Sequence, residues 1–151
     1  MAYIFREALI TDAVDCVKII IDYFDETHWL PNSNDLEERS RVELWWREHF
    51  QNEKAWVAEN DGFVIGFCSR QRSNNNISAL YVKPEWRNEG VGKYLLDLAK
   101  ENCNQIIVWA FELNHDARKF YQREGLVEIN REIDEDLNII DIDHQWNRSQ
   151  G

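Results

Sequence analysis

The chain lacks a basic excess. Lys and Arg number 17 against 28 Asp and Glu, a net charge of −11 over 151 residues. With no basic tail or stripe, neither nucleic acid nor an anionic membrane is an expected partner through bulk electrostatics. Long apolar runs are also missing. The longest, Ile106 to Phe111, is six residues, far short of the ~20 a spanning helix needs. Arg6 and Glu7 interrupt the N-terminus before any apolar stretch develops, so a secretory signal is not expected. Only three cysteines occur (Cys16, Cys68, Cys103), with neither redox nor metal-ligand spacing. They read as small buried residues of a reducing, cytoplasmic interior. No pair among His28, His49, His115 and His144 has metal-ligand spacing, so no metal is expected. Repeats and low-complexity segments are absent.

What remains is a globular mixture, 44% hydrophobic and 30% charged, of a length suited to one domain, about 3–147. Tyr3–Ala8 reads as a first strand. Thr11 would cap a helix bearing Val14, Val17, Ile21 and Phe24 on its inner face. A turn-rich linker precedes a second helix, Leu36–Phe50. Strands at Lys54–Glu59 and Phe63–Arg70 flank Asn60-Asp61-Gly62, a strong hairpin turn, and Ile77–Val82 forms another strand. A helix from Val91 to about Cys103 follows. Ile106–Phe111, apolar on both faces, should be a strand covered on both sides. A short helix over Asn114–Arg123 stops at Gly125, and strands at Leu126–Ile133 and Leu137–Trp146 end the chain. The order β-α-α-β-β-β-α-β-α-β-β implies the α/β (α+β) class, a mixed sheet of about seven strands with about four helices on its faces. Ile77–Val82, the helix after it and Ile106–Phe111 would form one right-handed parallel crossover.

Chemistry concentrates in Leu80-Tyr81-Val82-Lys83-Pro84-Glu85-Trp86-Arg87-Asn88-Glu89-Gly90-Val91-Gly92-Lys93-Tyr94. It runs from a strand end through a glycine-bearing turn into a helix, which offers backbone N–H groups and a helix dipole to an anion. Gly90 and Gly92 let the backbone close on a ligand. It is not the dinucleotide fingerprint, whose third glycine is replaced by Leu95. Nor is it a P-loop, which needs glycine at Arg87 and Ser or Thr at Tyr94.

Arg87-x-x-Gly90-x-Gly92 after Leu80-Tyr81-Val82 resembles the acetyl-CoA pyrophosphate loop of the GNAT superfamily, the GCN5-related N-acetyltransferases. Downstream, Asn114, Ala117, Phe120-Tyr121 and Gly125 resemble that family's second signature. The resemblance extends from Tyr3 to Trp146. It departs at Asn88, commonly glycine in the family. It departs also on the strand Ile77–Val82, where many relatives carry a carboxylate base and this chain has Asn75, Asn76 and Ser78.

The resemblance implies a GNAT fold whose parallel strands splay apart at the cofactor site, with acetyl-CoA as cosubstrate. Pantetheine would pair with Leu80, Tyr81 and Val82. The pyrophosphate would meet Arg87, Asn88, Glu89, Gly90, Val91, Gly92 and Lys93, and Asn114, Ala117, Phe120 and Tyr121 would complete the cofactor site. Lys83, Arg118, Lys119 and Arg123 add positive charge around the two motifs. Tyr121 matches the family's general acid, and backbone N–H at Leu80 or Tyr81 would polarise the thioester carbonyl. The base stays open among Glu112, Glu59 and a water chain touching Ser78 or Asn76. The acceptor would be a primary amine, a small molecule ahead of a protein amine, in a pocket that includes Trp29, Trp45 and Ser78. A non-catalytic acetyl-CoA sensor is the alternative, and a homodimer is left open.

Overall fold

The computed structural model describes residues 3–27, 36–136 and 138–149; the side chains at 36–39, 42 and 45 lie outside the described set. In chain order the elements are β1 (Ile4–Glu7), α1 (Ala13–Thr27), α2 (Leu36–His49), β2 (Glu53–Asn60), β3 (Phe63–Gln71), β4 (Ile77–Val82), α3 (Val91–Lys100), β5 (Gln105–Phe111), α4 (His115–Arg123), β6 (Val127–Asp134) and β7 (Ile139–Asn147). One seven-stranded sheet has the order β1-β2-β3-β4-β5-β7-β6, with β4 and β5 parallel and every other neighbour antiparallel. This is the mixed sheet with four helices that the residue pattern implies.

Period-two alternation divides the interior between the two faces of the sheet. Ala55 and Val57 join Cys16, Ile19, Ile20 and Phe67 under α1, while Trp56 and Ala58 join Leu95, Leu96, Ile106 and Val108 under α3. Asp61 and Gly62 take φ of 53° and 81° between the paired Asn60 and Phe63, the two-residue turn that matches strand twist.

Three expectations need correcting. Thr11 caps nothing; instead the Asp12 carboxylate accepts the Leu9 N–H at 2.7 Å and grips Arg6 through two hydrogen bonds. The inner face of α1 is Ala13, Cys16, Val17, Ile19 and Ile20, with Val14 56% exposed. And β5 is covered fully on one face and only in part on the other, where Phe111 is buried and Ile107 half-buried. Ile106, Val108 and Ala110 are buried, yet Trp109 is 45% exposed, because the core under α1 stops at β4.

Two features position the site. Arg70, buried in β3, donates to the carbonyls of Ala99 and Glu101 and contacts Cys103 Sγ, so a fixed cation holds the C-terminal end of α3. Across from β3, Ser69 pairs with Ala79 but Arg70 pairs with Ile77, which leaves Ser78 as the extra residue of a β-bulge. A bulge bends its strand. Among the described residues β4 meets β5 in one register pair, Ile77 with Val108, and the splay follows at once.

Candidate active site

From Val82 the chain turns through Pro84–Trp86 and enters α3 by way of Asn88 (φ 64°) and Gly90 (φ 86°). Two left-handed residues two apart curl the backbone into a concavity. Asn tolerates this region better than other side chains, which accounts for Asn88 where glycine is common in the resembling family. No side chain caps α3, so its first amides are left for another acceptor. A Cβ on Gly92 would stand 3.6 Å from the Phe120 ring and 3.8 Å from Val82 Cγ2, occupying the gap between α3, α4 and β4. Val91 is buried and anchors the turn, while Glu89 accepts a hydrogen bond from the Tyr3 hydroxyl.

Two cations at the turn, Arg87 and Lys93, already have anionic partners. Arg87 donates from Nε to the Val82 carbonyl at 2.8 Å and from both terminal nitrogens to Glu26 at 2.8 and 3.1 Å. Lys93 pairs with Glu124 at 3.0 Å, and both Glu124 and Asp97 hold its pKa above the usual value. Arg118 faces elsewhere, bonded to the Glu112 carbonyl and the Glu128 carboxylate. Within 114–123, Arg118 pairs with Glu128 at 2.9 Å and Arg123 stands 3.8 Å from Glu124, so part of the expected positive island is offset by the chain's own carboxylates.

Asn114 caps α4: its Oδ1 accepts the Ala117 N–H at 3.1 Å, and its Nδ2 donates to the Tyr23 hydroxyl at 2.6 Å. Tyr23 lies 5.1 Å from the Tyr81 ring, and the Arg87 guanidinium stands over the Tyr23 ring at 5.6 Å. Tyr121 is buried beside Phe120 and the fully buried His144. Burial raises its pKa, and the nearby Tyr81, Cys68 and Tyr23 add to the shift, so the phenol stays protonated at every physiological pH. Burial also lowers the pKa of His144.

On the other side of β4, Ser78 donates to Glu53 Oε1 at 2.6 Å. Glu53 is 7% exposed, and desolvation raises its carboxyl above the ordinary range. Glu112 is held by Arg131 at 2.7 Å. Trp29 lies outside the described residues, as does the Trp45 side chain. Tyr23 and Glu53 were not singled out from the sequence. Tyr23 sits beside Phe24 in an ordinary amphipathic stretch, and Glu53 stands one residue before the strand alternation begins. Among the described residues no cluster of His, Cys, Asp and Glu could hold a metal, and no helix is long and apolar enough to cross a membrane.

A turn of main-chain amides at a helix start, beside parallel strands that part, is the signature of one class of fold. Residues 51–128 match the Acetyltransferase (GNAT) domain family, and the chain belongs to that family. It is 29% identical over 77 residues to the peptidyl-lysine N-acetyltransferase YiaC of Escherichia coli K12, covering 51% of this chain and 52% of that protein. The chain spans about half the length of the curated relatives it matches. Among solved structures, apo YjaB from Escherichia coli superposes with a TM-score of 0.76 at 24% identity, over 99% of this chain and 100% of that one. YncA from Salmonella typhimurium, solved with its cofactor acetyl-CoA, gives 0.72 at 17% identity, over 100% and 96%.

Proposed function

We propose that this protein is an acetyl-CoA-dependent N-acetyltransferase acting on a primary amine. The observation that carries the reading is the coincidence of three things. Leu80–Val82 have no β5 partner, the turn over 87–93 presents uncapped amides, and Tyr121 of α4 is buried beside Phe120 and His144. The residues fit the cofactor, since the Gly92 gap would be closed by a single Cβ. Val91, Gly92 and Lys93 would hold the pyrophosphate by their N–H groups, and Leu80 and Val82 would pair with the pantetheine arm. Bound there, acetyl-CoA supplies an acetyl group activated as a thioester. Arg87 and Lys93 exchange their internal carboxylates for phosphate oxygens. Tyr121 supplies the proton that the departing sulfur needs, the protonated state its burial enforces.

The acceptor we favour is a small primary amine. Similarity to a peptidyl-lysine acetyltransferase supports a lysine side chain as the second reading, and both present an alkylammonium that must lose a proton. Calorimetry with acetyl-CoA, then thiol release across polyamines, amino acids, aminoglycosides, aromatic amines and lysine peptides, tests the proposal. Micromolar binding with turnover of one amine class supports it. Binding without turnover on any of them would leave a sensor module instead.

A further inference from the structure

β4 carries no carboxylate of its own, yet a buried one stands behind it. Glu53, at the start of β2, reaches across β3 to Ser78 on β4. Its Oε1 accepts the Ser78 hydroxyl at 2.6 Å, while its Oε2, also buried, has no hydrogen-bond partner among the described residues. An ionised carboxylate can accept about four hydrogen bonds, and leaving most of them unmade in the interior is costly. A carboxylate kept there against that cost, and tied to the bulge that opens the sheet, is a candidate for proton chemistry.

We propose that Glu53, acting through the Ser78 hydroxyl, takes the proton that the acceptor ammonium must lose before attack. Ser78 is only partly buried whereas Glu53 is 7% exposed, so the hydroxyl can meet the amine while the carboxylate stays dry. The direction of transfer is set already: Ser78 donates to Glu53 and can accept from nitrogen with a lone pair on the same oxygen. Ser78 directly follows Ile77, the one β4 residue in register with β5, so the pair sits where the unpaired edge of β4 begins. Overall an ammonium and a thioester become an amide, a thiol and one proton, and that released proton is the one Glu53 holds and returns to water. The charged groups facing Glu53 are His49 from α2 and Arg72 from the turn after β3, both favouring ionisation. Cys68 of β3 also feels its charge. Desolvation outweighs His49 and Arg72, and the carboxyl titrates above the ordinary carboxylate range.

This inference rests on the acetyltransferase reading, and Glu53→Gln, Ser78→Ala and Ser78→Thr test it. Glu53→Gln and Ser78→Ala should each lower kcat about 100-fold with acetyl-CoA affinity unchanged, and Ser78→Thr should restore most of it. In the wild type, kcat should rise with pH along an acid limb that Glu53→Gln abolishes. A second readout needs no cofactor. A carboxyl whose pKa is raised in the folded state lends stability below its unfolded pKa, and that stability is lost as pH rises through the folded one. Glu53→Gln should therefore melt above the wild type at about pH 8 and level with it at about pH 4. Wild-type kcat and an unchanged acid limb in Glu53→Gln would overturn the inference while leaving the acetyltransferase reading intact. So would a Tm below wild type at about pH 8, the mark of a structural brace. Wild-type protein that binds acetyl-CoA and acetylates nothing would sink both together.

Discussion

Tyr121 packs in the core and, on the proposed mechanism, also gives up a proton. Its neighbours Phe120 and His144 make it a core residue, so removing the ring would conflate the two roles. Tyr121→Phe separates them, because the ring stays and only the hydroxyl goes. We expect kcat to fall about 100-fold while calorimetric acetyl-CoA affinity holds; equal losses in both would make the tyrosine a packing residue. Arg87 poses a different test. Its bidentate grip on Glu26 is a partly exposed ion pair, with side-chain exposures of 33% and 43%, so Coulomb gain there is small. Glu26→Gln should free the guanidinium and tighten acetyl-CoA about threefold, read by calorimetry; weaker binding would mean that Glu26 orients Arg87 rather than competing for it. Residues like Gly90, Gly92 and Asn114 were legible because local backbone geometry dictates them: a left-handed turn, a close approach, a cap. Tyr23 and Glu53 were not, since their importance comes from partners 91 and 25 residues away, contacts that no spacing rule encodes.

At the scale of elements, α3 is fixed from both ends. Val91, Leu95, Leu96 and Ala99 bury its inner stripe, and Arg70 ties its last carbonyls to the centre of β3. Arg70→Leu strips the charge-assisted bonds from those carbonyls and should cost about 2 kcal/mol, seen as a lower denaturation midpoint. An unchanged midpoint would assign α3 to apolar packing alone. Element order and type were readable from periodicity throughout. The exposure at Trp109 on β5 was not, because apolar residues on both faces describe a strand's composition and not which helices reach it. Trp109 is exposed because α1 ends its coverage at β4. The bulge at Ser78 was equally invisible, since bulges register as pairing with another strand rather than as a residue type.

Over the whole molecule, two carboxylates pull the pH dependence of stability in opposite directions. Arg6 holds the Asp12 carboxyl below its ordinary pKa, helped by the Leu9 N–H. A lowered folded pKa contributes stability above the unfolded value, lost as pH falls through the folded one. Asp12→Asn should therefore cost about 2 kcal/mol at neutral pH and progressively less under acid, measured by urea titration at several pH values; a constant penalty would show that the loss is one of packing. Glu53 behaves inversely, its penalty growing as pH rises. A net charge of −11 also bears on ligand choice. An acidic molecule that takes a polyanion needs a local attraction, and on the proposed reading the amides over 87–93 supply it together with Arg87 and Lys93, once these leave Glu26 and Glu124 for phosphate.

The lone Ile77–Val108 rung has a mechanical meaning. The sheet is two panels, one of four strands and one of three, riveted at a single point and glued by the side chains of Leu95, Leu96, Ile106 and Val108. Glue of that kind has no preferred direction. The seam can widen or narrow without breaking a ladder, so the width of the slot is governed by how tightly those aliphatic groups nest.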